Sequence, residues 1–105
     1  MNTKELISYF EKEYDKKINQ FNNYEWYKIS KFKYLTEEFI EKYKNKVNWV
    51  WISEHQKLSG EFIHKFKNRI VFQLISKQNK INYLKYQVKN NIISNEEYLK
   101  ELLKS

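Results

Sequence analysis

The sequence predicts an all-α fold, a short helical repeat of the α-solenoid kind with a period of about 23 residues. Residues 35–57 and 58–80 align without gaps, and ten of their 23 positions are identical. In both segments a hydroxyl residue precedes an apolar helical pattern at the same offset. A partial third copy precedes them, and its tryptophan, isoleucine and serine recur 23 residues later: Trp26, Ile29 and Ser30, then Trp49, Ile52 and Ser53.

We expect one domain over residues 1–105, because a chain of this length suits a single core. Terminal units of a repeat array must hide a face that has no neighbour, so both flanks are expected to act as caps. The predicted parts are an N-terminal helix (1–22), a half repeat (23–34), two repeats (35–57 and 58–80) and a C-terminal hairpin (81–105).

The N-terminal segment predicts one long amphipathic helix from Thr3 to about Phe21, capped by Thr3 or Asn2. Its apolar side chains recur at helical spacing and are expected to face inward: Leu6, Ile7, Phe10, Tyr14, Ile18 and Phe21.

Each full repeat predicts two short helices. Thr36 and Ser59 are expected N-caps of the first helix, and Asn45 and Asn68 are expected to end it in the left-handed conformation. The inner faces of these first helices are Phe39, Ile40, Tyr43 and Val47, then Phe62, Ile63, Phe66 and Ile70.

The second helix of the repeat is expected from about Trp49 to Gln56, with Asn48 as its cap. Its inner face is expected to be Trp49 and Ile52, with Gln56 as a further candidate. Ser30, Ser53 and Ser76 recur beside the inner isoleucine, where a small side chain would allow close approach of helices. The stretches 47–52 and 70–75 are rich in β-forming residues, and a strand there is the alternative.

The C-terminal part predicts a helical hairpin. Ile81, Leu84 and Val88 define a helix that ends at Asn90–Asn91. A capping box of Ser94 with Glu97 then starts the last helix. Its inward residues are expected to be Tyr98, Leu99, Leu102 and Leu103.

Composition excludes several classes of function. The chain has no cysteine, which excludes disulfides and thiolate metal sites. No apolar run approaches the roughly 18–20 residues that span a bilayer, so we expect no membrane partner and a cytoplasmic location. We expect no cofactor and no small-molecule substrate.

Catalytic patterns are equally scarce, and we expect a protein that is not an enzyme. His55 and His64 are nine residues apart, and their counterparts in the neighbouring repeat are the polar Gln78 and Glu41. Two solvent-facing histidines are therefore favoured over a metal pair. Adjacent glutamates stand at helix starts, where negative charge favours the helix dipole.

Binding is better supported. The formal net charge is +7, and the outward positions of the two first helices predict a basic ridge that contacts phosphates or an acidic partner. The alternative is a solvated face in a lysine-rich proteome, since an AT-rich genome also yields many lysines. The predicted ridge consists of Lys42, Lys44, Lys46, Lys65, Lys67 and Arg69.

A second candidate is an aromatic patch for protein recognition, formed by Tyr27, Val50 and Trp51. Trp51 stands two residues after Trp49, so it points away from the inner face. Tryptophan and tyrosine dominate the energetic centres of protein interfaces. The alternative is that Trp51 packs into the fold.

The segment from Trp26 to Gln78 resembles a short helical repeat of phages, large DNA viruses and low-GC bacteria. The repeat is written W-x-x-I-S-x-x-Q-x-L-S-x-x-F-I-x-x-F-x-x-x-V. Its residues here are Trp49, Ile52, Ser53, Gln56, Leu58, Ser59, Phe62, Ile63, Phe66 and Ile70. An earlier copy is supplied by Trp26, Ile29, Ser30, Leu35, Thr36, Phe39, Ile40, Tyr43 and Val47. The chain departs from the pattern at Phe32–Lys33, where a glutamine is expected, and at Phe72.

The resemblance implies a scaffold and no catalytic role. Together with the AT-rich composition, it suggests a phage, viral or mobile-element origin. The expected function is non-enzymatic binding of a protein or a protein–nucleic-acid complex, with direct nucleic-acid contact as a second route. A narrower hypothesis is an inhibitor of a host defence nuclease complex, of the anti-CRISPR kind. The alternative function is non-specific nucleic-acid binding.

Overall fold

The computed structural model describes residues 1–104, and the chain divides into two compact units. The first unit is Met1–Gln56, and the second begins at Lys57. This division falls one residue before the junction of the two predicted repeats.

The predicted all-α class is confirmed. The first unit contains α1 (Thr3–Tyr14), a 3₁₀ turn (Ile18–Gln20), α2 (Asn23–Ser30), α3 (Glu37–Lys42) and α4 (Trp49–His55). The second unit contains α5 (Gly60–Lys65), a 3₁₀ turn (Phe72–Leu74), α6 (Lys77–Lys89) and α7 (Asn95–Leu103). No residue between 1 and 104 lies in a strand, so the strand alternative for 47–52 and 70–75 is wrong.

The predicted long N-terminal helix is shorter than expected. Helix α1 ends at Tyr14 because Asp15 takes the left-handed conformation, with φ of 51°. The N–H groups of Asp15 and Lys16 both turn back to the carbonyl of Glu11, which closes the helix end. The Glu11 carboxylate then accepts from the N–H of Ile18, at 2.9 Å, where the 3₁₀ turn begins.

The first helices of the two repeats have the same bounds at an offset of 23 residues, α3 from 37 to 42 and α5 from 60 to 65. Their predicted N-caps are present: the Thr36 hydroxyl accepts from the N–H of Phe39, and the Ser59 hydroxyl accepts from that of Phe62. The same turn follows both helices. After α3 the N–H of Lys46 donates to the carbonyl of Tyr43, and after α5 the N–H of Arg69 donates to the carbonyl of Phe66.

Asn45 and Asn68 do not end these helices in the left-handed conformation. Within residues 1–104 the only non-glycine residues of positive φ are Asp15 and Asn91. The turns after α3 and α5 tighten through right-handed geometry, with the C-caps Tyr43 and Phe66 near φ −110°. No left-handed residue is needed there.

The second helix of the repeat forms in the first unit only. The Asn48 side chain accepts from the N–H of Trp51 and starts α4. Val71 stands at the equivalent position and has no side-chain acceptor, and a 3₁₀ turn at Phe72–Leu74 takes the place of the helix. Ser76 is exposed and is the N-cap of α6, and so it is not an inward small residue. Ser30 and Ser53 are fully buried, as their spacing predicts.

The C-terminal segment forms the predicted pair of helices, α6 and α7, which contact each other. Asn91 has φ of 58°, so the turn falls where the sequence places it. The Ser94 hydroxyl accepts from the N–H of Glu97 at 3.1 Å, which is one half of the predicted capping box. Both halves are present at Asn2 with Glu5 and at Asn22 with Glu25.

Aromatic rings fill the core of the first unit. Phe39 is fully buried, and its ring lies 5.8 Å from Phe10, 6.3 Å from Trp26 and 4.9 Å from Tyr43. These contacts tie α1, α2 and α3 together. The predicted inward residues of the repeats are buried or half-buried, which confirms the helical spacing.

A buried amide fixes the connection between α2 and α3. The Gln56 side chain is 5% exposed, and its Nε2 donates to the carbonyls of Ser30 at 3.1 Å and Phe32 at 2.9 Å. Asn79, its counterpart 23 residues later, is also buried and accepts from the N–H of Leu58 at 2.9 Å. In each unit, a buried amide therefore anchors the backbone just before a capped helix.

We expect Gln56→Ala to lower the free energy of unfolding by about 2 kcal/mol, because buried carbonyls lose their donor. Urea denaturation followed by circular dichroism measures this change. The control is Gln78→Ala, whose side chain is exposed and which should leave stability within about 0.5 kcal/mol. Equal stability of both variants would contradict the anchoring role.

Gly60 permits the close packing of α5 on α6. A methyl group at this position would lie 2.3 Å from the carbonyl oxygen of Asn82 and 2.5 Å from Cβ of Tyr86. The Asn82 side chain also donates to the carbonyl of Leu58 at 3.0 Å. The backbone of α6 is therefore held against the segment that starts α5.

We expect Gly60→Ala to destabilise the protein by about 2 kcal/mol, because the overlap outweighs the gain of roughly 1 kcal/mol in helix propensity. The free energy of unfolding is again the measurement. Glu61→Ala, at the next and exposed position, should cost less than about 1 kcal/mol. A Gly60→Ala protein as stable as the parent would show that α5 and α6 are not in this close contact.

Candidate binding surface

Helices α2 and α4 contact each other in the first unit, and their outward sides carry rings and cations. The capping bonds of Asn22 and Asn48 set where each helix begins. With Trp26, Ile29 and Ile52 turned into the core, the outward positions share one side of the unit. We call this the aromatic–lysine surface, and it consists of Tyr24, Tyr27, Lys28, Lys31, Trp51 and His55.

The four rings of this surface form a continuous series. Tyr24 and Tyr27 are nearly parallel, with centroids 6.4 Å apart. Tyr27 meets Trp51 edge to face, at 4.9 Å and 85°. The His55 imidazole stacks on Trp51, at 4.9 Å and 13°. Each ring thus supports the next, so contacts within the unit set their positions.

Two lysines interleave with the rings. The Lys31 ammonium lies 4.9 Å from the centroid of Tyr27 and 4.7 Å from that of Trp51. The Lys28 ammonium lies 5.4 Å from the centroid of Tyr24 and 5.7 Å from that of Tyr14. These distances are in the range of cation–π attraction, which holds both long side chains near the rings.

The structure brings together two of the three residues of the predicted aromatic patch. Tyr27 and Trp51 are in direct contact and half-buried, whereas Val50 is 46% exposed beside them on α4. Sequence reasoning missed Tyr24, which is 66% exposed, and His55, which it treated as solvent-facing only. The spacing of Tyr24, Tyr27 and Lys31 along one helix face could have indicated the larger cluster.

Glu25 orients the helix that carries most of this surface. Its carboxylate accepts from the N–H of Asn22 at 2.8 Å and pairs with the Lys16 ammonium at 2.9 Å. The bond from the Asn22 backbone, followed by that from Lys16, holds the pKa of Glu25 below its usual value. The ionised carboxylate is therefore part of the folded state.

We expect Glu25→Gln to keep the capping bond and to lose the charge. Because the folded-state pKa of Glu25 is lowered, its charge stabilises the fold above the ordinary pKa of a glutamate, and this stabilisation disappears as the pH falls through the lowered value. The difference in unfolding free energy between the parent and Glu25→Gln should be present near neutral pH and vanish in strong acid. A difference that is constant with pH would contradict this assignment.

The predicted basic ridge falls partly in each unit. Lys42 ends α3, and Lys44 and Lys46 lie on the following turn, all exposed. Lys65, Lys67 and Arg69 occupy the same positions after α5 and are also exposed. Cations at a helix C-terminus interact favourably with the helix dipole. Each set of three basic residues can therefore stabilise the helix that it follows, without any role in binding.

The first-unit part of the ridge borders a surface cleft of about 470 Å³. Lys42 and Lys46 line it together with Ile18, Trp26 and Tyr43. The Lys42 ammonium lies 5.9 Å from the centroid of Tyr43, and Lys65 has the same relation to Phe66 at 5.8 Å. Two ammonium groups and aromatic rings therefore line this cleft.

His64 lies in the second unit among rings. Its Nδ1 is 3.2 Å from the hydroxyl of Tyr83, and its ring is 5.2 Å from Tyr86. Burial raises the pKa of Tyr83, so this phenol is a neutral partner. Over residues 1–104, no three His, Asp or Glu side chains are grouped so as to hold a metal ion. No described helix is both long and apolar enough to cross a bilayer.

Comparison with known proteins adds no further assignment. The chain matches no protein-family model, no curated protein and no solved structure. Membership of the helical repeat family therefore stays a prediction that rests on the residues quoted above.

Proposed function

We propose that this chain is a non-enzymatic binding protein whose partner is a protein, and that the aromatic–lysine surface is where the partner binds. The carrying observation is the contact of Tyr27 with Trp51 on the outward sides of α2 and α4. Tyr24 and Val50, exposed by 66% and 46%, extend the apolar area beside them.

The chemistry of these residues suits a protein interface. Tyrosine and tryptophan bury much area with few rotatable bonds, and they supply most energetic centres of protein interfaces. Because the rings already pack on one another, little side-chain entropy remains to be lost on binding. The surface is thus arranged for a partner before the partner arrives.

The architecture we propose is a solenoid-like repeat in which the N-terminal helix and the C-terminal hairpin act as caps. The identical bounds of α3 and α5 at an offset of 23 residues support it. A phage, viral or mobile-element origin and a cytoplasmic location accompany this proposal. In that setting, the partner we favour is a host defence nuclease complex that the chain inhibits, in the manner of an anti-CRISPR protein.

The alternative function is non-specific nucleic-acid binding through the basic ridge. Its support is that all six ridge residues are exposed. Binding of single- and double-stranded oligonucleotides at two salt concentrations tests it, because phosphate contacts weaken steeply as salt rises. Absence of salt-dependent binding at low ionic strength would eliminate this alternative.

The primary proposal predicts that Trp51→Ser weakens partner binding without unfolding the chain. We expect the dissociation constant to rise about 30-fold, because a central ring is worth roughly 2 kcal/mol or more. Partners are captured on immobilised protein, purified and titrated individually against each variant. A reconstituted nuclease–guide complex is the first purified candidate, with target cleavage as the readout.

The matched control is Tyr34→Ser, since Tyr34 is 59% exposed but lies outside the aromatic–lysine surface. It should leave the dissociation constant within about twofold. Circular dichroism and the free energy of unfolding are recorded for both variants, and Tyr24→Ala replaces Trp51→Ser if the latter unfolds. If the Tyr34 and surface variants weaken binding equally, the surface is not the interface.

A further inference from the structure

We infer that the aromatic–lysine surface recognises an acidic protein segment, one that places carboxylates against Lys28 and Lys31 and apolar side chains against the rings. This inference rests on the proposed function and specifies the chemistry of the partner. The observation that supports it is the placement of the lysine ammonium groups over the aromatic rings.

The ring faces are already in contact with the chain's own basic side chains. Lys31 lies over Tyr27 and Trp51, His55 stacks on Trp51, and Lys28 lies over Tyr24. An aromatic ring is negative on its face and positive at its edge. A partner therefore meets ammonium groups and ring edges, both of which attract anions.

Two nearby carboxylates offset only part of this charge. Glu25 is held by the backbone of Asn22 and by the ammonium of Lys16, with its side chain only 11% exposed. Glu54 lies 3.9 Å from the imidazole of His55. Lys28 and Lys31 are exposed, and within residues 1–104 neither forms an ion pair with a carboxylate within 4 Å. Their ammonium groups lie over aromatic rings instead.

The same ordering favours a protein over a nucleic acid. To stack on Trp51 or Tyr27, a base would have to displace Lys31 or His55 from the ring. The surface has no arginine for paired contacts to a phosphate, since the only arginine of the chain is Arg69. Exposed Val50 and Tyr24 add apolar area that suits side chains of a peptide.

The test is selection of binders from a displayed library of random peptides, with the full-length chain as bait. The Trp51→Ser and Tyr24→Ala proteins serve as counter-baits that remove peptides bound elsewhere. We expect the surface-dependent peptides to be enriched in aspartate and glutamate next to apolar residues. A labelled oligothymidine is titrated under the same salt conditions.

The synthesised peptides are then titrated against Lys28→Glu/Lys31→Glu and against Lys85→Glu/Lys89→Glu. The second pair matches the charge change on exposed positions of α6 in the other unit. We expect the first variant to weaken binding at least about tenfold and the second less than about threefold at low salt. Circular dichroism checks that both variants are folded.

Three results would overturn the inference. If the surface-dependent peptides were not enriched in acidic residues, the inference of an acidic partner would be wrong, and the proposed protein-binding function would be unaffected. Tighter binding of oligothymidine than of any peptide, lost in Trp51→Ser, would replace the protein with a single-stranded nucleic acid. Selection that yields no surface-dependent peptide would count against the proposed function as well.

Discussion

Side-chain capping of helix N-termini is the interaction on which the described fold depends. All seven α-helices within residues 1–104 begin at an asparagine, serine or threonine whose side chain accepts a backbone N–H of the first turn. Such a bond contributes about 1 kcal/mol, which matters because α3 and α5 have six residues each. Helices shorter than roughly 12 residues are marginal in water even for favourable sequences.

Capped but short helices still need a core, and in the first unit the rings supply it. A chain without alanine or cysteine has few small apolar residues to fill gaps, so large rings meet at centroid distances of 4.9–6.3 Å around Phe39. The polar groups that such packing buries are paired. Over the described residues, no buried side-chain nitrogen or oxygen is without a hydrogen bond. Buried amides such as Gln56 therefore position connections rather than weaken the core.

The sequence predicts the features that depend on local chemistry. Hydroxyl caps, the apolar spacing of the two repeats and the turn at Asn91 follow from residues close together in the chain, and they are confirmed. The inward orientation predicted for Leu99 and Leu103 on α7 is wrong, since these side chains are 57% and 86% exposed. The sequence does not predict where one local conformation replaces another, such as the point at which a helix ends. The left-handed Asp15 ends α1 early because Glu11 offers a nearby acceptor, and Val71 cannot cap a second helix where Asn48 can. His55 follows Trp51 by four residues, so the sequence places the two side chains on one face of α4. It does not show that the imidazole stacks on the indole.

The aromatic–lysine surface is not explained by the needs of the core. On α2 the inward residues Trp26 and Ile29 are buried, and on α4 Ile52 is buried; these inward types recur along the chain. The outward position of Trp51 is occupied by Lys28 one repeat earlier and by Leu74 one repeat later, so the repeat itself does not require a ring there. Tyr24 and Val50 expose apolar area to water on the same helices as the half-buried Tyr27 and Trp51, and contiguous apolar patches are typical of interaction surfaces. Folding thus accounts for the inward faces of these helices, and the binding function proposed above would account for the outward ones.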